Sequence, residues 1–166
     1  AKADGFKMEP GFVSLFNGED LSGWGFRNQR TQKTTAGFDG KKSSSDGRYV
    51  AVNGRLVVTT PPEGRRIQQL WTTREFPKDF VLRLEFRATP NADSGVFIRR
   101  PQLQCRDYSL AGPWKNLEKY KSQDWNEIVV SVKGGVAHCT CNGEVLDARF
   151  KVPSTGPIGL EGDRGQ

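Results

Sequence analysis

Phe80-Val-Leu-Arg-Leu-Glu-Phe-Arg87 decides the fold class. Phe80, Leu82, Leu84 and Phe86 alternate with Val81, Arg83, Glu85 and Arg87, and a period of two puts the first set on one face of an extended strand. Ile128, Val130 and Val132 repeat the pattern against Glu127, Ser131 and Lys133. Working outward, further strand-like runs cover Phe12 to Phe16, Tyr49 to Val52, Arg55 to Thr59, Gln68 to Thr72, Ser94 to Arg99, Gln102 to Asp107, Val136 to Cys141 and Glu144 to Ala148. Asn53-Gly54 and Asn142-Gly143 sit between such runs and signal tight hairpins, and Gly134-Gly135 marks a third. Nowhere does a long helical period of 3.6 residues appear. Short antiparallel strands with one apolar face are stable when two sheets stack, so the expected fold is all-β, a two-sheet antiparallel sandwich of jelly-roll type. Ser109 to Asp124 lacks alternation, carries Pro113 and Trp114, and reads as a loop.

The 166 residues, 35% hydrophobic and 27% charged, are enough for one domain with a core of ordinary size. Apolar runs are far shorter than the roughly 20 residues that cross a bilayer as a helix, so no integral membrane segment is expected. The net charge of +6 invites a nucleic-acid reading. Yet the window Arg27 to Arg66, with nine Lys/Arg against Asp39, Asp46 and Glu63, already carries nine minus three, or +6. Much of that window is the Gly- and Ser-rich stretch Gly37 to Gly47, a solvated loop without a helix-turn-helix or zinc-ligand pattern, so no nucleic-acid partner is expected. Cys105, Cys139 and Cys141 lack the matched ligand spacing of a zinc site and read as buried free thiols.

The ordered motifs resemble a known family. Leu15-Phe-Asn-Gly-Glu-Asp-Leu-Ser-Gly-Trp24, Val52-Asn-Gly-Arg-Leu56, Asp79 to Arg87, Ala92-Asp-Ser-Gly-Val-Phe-Ile-Arg99, Gln102-Leu-Gln104, Asp124-Trp-Asn-Glu127, His138 to Gly143 and Gly156-Pro-Ile-Gly-Leu160 are similar to the 3-keto-disaccharide hydrolase domain, a family of concanavalin A-like sandwiches. The resemblance spans nearly the whole chain, residues 1–166, as a single domain. Three departures accompany it. The sequence ends at Asp163 to Gln166 where members usually add a closing strand, Arg27 to Ser45 is longer and more basic than usual, and Asp93 stands where Asn is common.

The resemblance implies a hydrolase for glycosides or disaccharides oxidised at C3. A carbonyl there acidifies the C2 proton, so a modest base can start an elimination that expels the aglycone from C1, after which water adds back. That route asks for a base near C2, a donor at the C3 oxygen and an acid for the leaving group. His138, with one of Glu85 or Asp107, is the expected acid-base set. Arg99 and Gln104, with Glu127, are the expected substrate-holding residues, and Tyr108 and Trp114 of the long loop are the expected stacking platforms. No cofactor is required, although a divalent cation such as calcium can replace a donor at the C3 oxygen. A non-catalytic carbohydrate-binding module is the competing reading, because such sandwiches serve both purposes. The family suggests a bacterial extracytoplasmic protein, periplasmic or secreted, and a chain opening Ala1-Lys-Ala-Asp-Gly suits either a processed precursor or a trimmed one.

Overall fold

The computed structural model describes residues 7–28, 30–59, 67–90, 92–107 and 116–162. Among them there is no α-helix, and every named strand pairing is antiparallel. The fold is all-β, as the alternation requires. Two compact units divide the chain at residues 74 and 75.

In the first unit, β1 (Trp24–Arg27) pairs with β2 (Thr34–Gly37) and β5 (Leu70–Thr72), while β3 (Tyr49–Val52) and β4 (Arg55–Val58) form a hairpin. That hairpin turns on Asn53 and Gly54, whose φ values of 51° and 74° fit the mirror-image turn whose twist matches the strands. Phe12 to Phe16 forms no strand, in contrast to the sequence expectation. Its backbone is engaged elsewhere: the Leu15 carbonyl accepts the Trp24 indole N–H at 2.8 Å, and Asn17 Oδ1 caps the amides of Glu19 and Asp20. β1 and β2 escaped the pattern because Gly25 and Gly37 read as loop punctuation. A Cβ on Gly25 would overlap the Ala36 carbonyl, so this pair of strands needs the glycine.

The second unit holds two layers. One is the four-stranded sheet β11-β10-β9-β6, built from β6 (Phe80–Phe86), β9 (Asn126–Lys133), β10 (Val136–Cys141) and β11 (Glu144–Lys151). The other contains β12 (Ile158–Glu161), β7 (Asp93–Ile98) and β8 (Gln102–Arg106), paired in that order. Leu82, Phe86, Ile128, Val130, Val132, Ala137, Cys139 and Cys141 form the buried face of the first layer; Val96, Ile98, Leu103, Cys105 and Ile158 form that of the second. The Cys105 thiol lies close to those of Cys141 and Cys139, so the apolar faces meet as a sandwich. All three thiols are buried and free. Burial foremost, with nearby Asp147 and Glu144 respectively, pushes Cys139 and Cys141 up to about 12, and burial likewise raises Cys105.

Arg99 joins the connections around this sandwich. It follows β7 in a left-handed conformation, φ 61°, and is only 2% exposed. Its Nε donates to the Phe76 carbonyl at 2.7 Å and its Nη2 to that of Lys78 at 2.8 Å, while Nη1 donates to Gly134 and Pro153 at 2.9 Å each. The guanidinium carbon also lies 5.4 Å from the Phe80 ring centroid. One side chain thus ties the approach to β6, the β9–β10 turn and the β11–β12 connection to the end of β7.

Arg99→Met, which keeps the stem and removes the donors, is expected to lower unfolding free energy by about 3 kcal/mol or more in urea titration, since hydrogen bonds to a charged group contribute about 1.5 to 3 kcal/mol each. The cysteines are expected to resist a thiol-specific reagent at pH 8 in the native protein and to react fully in denaturant, because the thiolate is the nucleophile. Folding raises their values, so their contribution to stability is intact below the ordinary thiol range of about 8.5 and falls away as pH climbs toward 12.

Candidate active site

Alternation places His138 and Glu85 on the outward face of the four-stranded layer, as expected. Both are exposed. Strand register then separates them: His138 lies across from Ser131 and Ser131 from Val81, whereas Glu85 lies across from Glu127. Ser131 and Glu127 are four residues apart on one strand, about 13 Å at about 3.3 Å per residue. Two carboxylates directly opposite one another repel, which is the signature of a solvated face more than of a paired acid and base.

Asp107 belongs elsewhere. It follows β8, 9% exposed, and its Oδ1 accepts the Tyr120 hydroxyl at 2.9 Å. The Gln123 side-chain amide donates to both carboxylate oxygens at 2.6 Å. Burial first, then the Asp107 carboxylate, raises the Tyr120 phenol above its usual range. Asn126 continues this latch, accepting the Lys121 amide at 2.8 Å and donating to the Lys121 and Asp124 carbonyls. Asn142, which the sequence marks only as a turn residue, donates to Asn126 and Lys119 from its side chain. These contacts hold residues 117–125 against the ends of β8 and β9. Asp107 is therefore a latch residue, away from His138. Arg99 likewise is not a sugar-holding residue here, because its donors end on backbone carbonyls. Tyr108 and Trp114 lie outside the described residues.

The expected residue that does sit in a polar constellation is Gln104. On the face of the β12-β7-β8 layer turned away from the core, register sets out a grid. One row pairs Asp93 with Arg106, the next runs Glu161, Gly95, Gln104, and the third runs Gly159, Phe97, Gln102. Strands about 4.8 Å apart and rows about 6.6 Å apart make this patch comparable to a sugar ring with its substituents. Arg106 Nε pairs with Asp93 Oδ1 at 3.1 Å, their side chains 13% and 23% exposed. Gln102 Nε2 donates to Glu161 Oε2 at 2.7 Å by crossing β7 above Gly95. A Cβ at residue 95 would overlap the Gln102 side chain, so the glycine makes room for that crossing.

Asp93, Gln102, Arg106 and Glu161 were not singled out as site residues by the sequence. One signal was present: alternation in Gln102-Leu-Gln-Cys-Arg106 sends Gln102, Gln104 and Arg106 to one face. The other half was not, because Glu161 reaches the group only through β12, a Gly- and Pro-flanked strand that does not alternate visibly. Chemically the patch combines a cation able to polarise a carbonyl oxygen, two amides able to read hydroxyls, and two carboxylates. Among the described residues no three His, Cys, Asp or Glu side chains gather to hold a metal ion. No step is assigned to a calcium ion.

Comparison with known proteins agrees with this fold. Two crystal structures from Parabacteroides distasonis ATCC 8503, each described as a "putative glycosyl hydrolase", are similar. The first is 15% identical with a TM-score of 0.67, over 91% of this chain and 87% of that one. The second is 17% identical with a TM-score of 0.54, over 71% and 83% respectively. At such identities the likeness speaks to architecture. No curated protein sequence matches the chain. The family model for the 3-keto-alpha-glucoside-1,2-lyase-like domain matches residues 11–166, and the chain, resembling that family already in its ordered motifs, belongs to it.

Proposed function

We propose that the chain cleaves 3-keto-glycosides by elimination and hydration, using the outward face of the β12-β7-β8 layer. The observation that carries this is the half-buried ion pair Asp93 and Arg106 beside Gln104 and the Gln102–Glu161 bond, all on one small patch. Family membership supplies the substrate class.

The chemistry follows from the donors. Arg106 lies where a cation can stabilise negative charge developing on the C3 oxygen, and desolvation in a half-buried site strengthens that attraction. A carboxylate of the patch accepts the C2 proton. The electron pair passes through the enolate, re-forms the C3 carbonyl and expels the C1 substituent as an alkoxide, leaving a C1–C2 double bond. A water gives the alkoxide its proton and adds its hydroxyl at C1, and the carboxyl group returns its proton to C2, which completes hydrolysis. Gln104, as donor and acceptor, reads a neighbouring hydroxyl. A sugar-processing enzyme of this class fits an extracytoplasmic setting, which belongs to the same proposal.

Incubation with a 3-keto-glucoside and with its unoxidised parent, followed for released sugar, tests the reading. Release is expected only from the keto compound. Arg106→Ala is expected to lower turnover about 10²- to 10³-fold, the usual cost of a lost oxyanion donor. His138→Ala, on the opposite side of the sandwich, is expected to stay near the parental rate. The reverse pattern would move the site to the four-stranded layer, and binding without release would make the domain a carbohydrate-binding module.

A further inference from the structure

The patch holds two carboxylates, and the geometry points to Glu161 as the proton acceptor at C2, with Gln102 as its positioning residue. This assignment rests on the preceding reading of the face and names the base within it.

Asp93 is committed to the Arg106 guanidinium at 3.1 Å. A carboxylate in an ion pair gives up that attraction when it takes a proton, and it would do so while Arg106 is needed at the C3 oxygen. Glu161 Oε2 accepts from the neutral Gln102 amide at 2.7 Å, a bond that can persist on the carboxyl group after proton transfer. The partner comes from 59 residues earlier and crosses a whole strand to arrive, over the one position in β7 where a side chain would block it. Register also sets Glu161 and Gln104 on opposite sides of Gly95, at the same level of the sheet. A ring seated over the Gln102 amide therefore has a carboxylate on one flank and a hydroxyl reader on the other, with Arg106 one row away.

In the assigned step Glu161 takes the C2 proton, and the C–H electron pair becomes the C2–C3 double bond as charge moves to the C3 oxygen. This half-reaction needs no leaving group. It is measurable alone as exchange of the C2 proton of 3-keto-1,5-anhydroglucitol, which carries no leaving group at C1, for deuterium in D₂O, followed by NMR, with affinity for the same sugar measured by calorimetry.

Glu161→Gln is expected to retain affinity and to lose exchange by about 10²- to 10⁴-fold, the span typical of general base removal. Gln102→Ala and Gly95→Ala, the second displacing the amide without deleting it, are expected to lower exchange far more than affinity, a split that a merely structural role would not produce. Retained affinity also shows that each variant is folded. Exchange at the parental rate in Glu161→Gln overturns the assignment while leaving the face as the binding surface. Parental protein that binds without exchanging also overturns it. Parental protein that does not bind the sugar overturns both the assignment and the reading of the face.

Discussion

A guanidinium withdrawn from solvent must find acceptors within the protein, and Arg99, 2% exposed, finds four backbone carbonyls. Phe76, Lys78, Gly134 and Pro153 come from three connections distant in sequence, and all end on the Arg99 guanidinium. Only arginine offers enough N–H groups in a fixed plane to serve several directions at once without being able to lose its charge. Burying that cation is tolerated because backbone dipoles surround it and the Phe80 ring covers one side. Around this point the approach to β6, the β9–β10 turn and the β11–β12 connection keep their places.

The candidate site depends on that arrangement although Arg99 does not take part in it. Arg99 closes the tight connection between β7 and β8, where Ile98 and Pro101 are also joined by a backbone bond of 2.9 Å. Gln102, Gln104 and Arg106 follow immediately on β8. Their register against Gly95 and Asp93, and through β7 against Glu161, is what brings a cation, two amides and two carboxylates onto one patch. A slip of one residue would turn all three β8 side chains into the core and expose Leu103 and Cys105. The apolar contacts between the layers therefore protect the site's geometry as well as the fold.

The sandwich also explains why residues of similar chemistry do different work. His138 and Glu85 stand on an exposed face, where water screens charges and offers competing hydrogen bonds. Asp93, Arg106 and Glu161 are partly withdrawn from solvent, so their interactions are stronger and more directional. Asp107 and Asn126 are withdrawn further still, and their hydrogen-bonding capacity is spent on holding residues 117–125 in place.

By itself the sequence determined what depends on neighbours one or two residues away. Alternation in Phe80 to Phe86 and Ile128 to Val132 produced the strands and the inward faces, and Asn-Gly pairs produced two of the turns. It also sent His138 and Glu85 outward, correctly. Ordered motifs carried the family. What only the tertiary structure decided are relations between strands, because register and layer order are not written in any local period. Four residues of strand separate His138 from the Glu85 row, Gln102 meets Glu161 across 59 residues, and Arg99, which looks like a ligand-binding arginine in isolation, has its donors taken by carbonyls that only folding brings together.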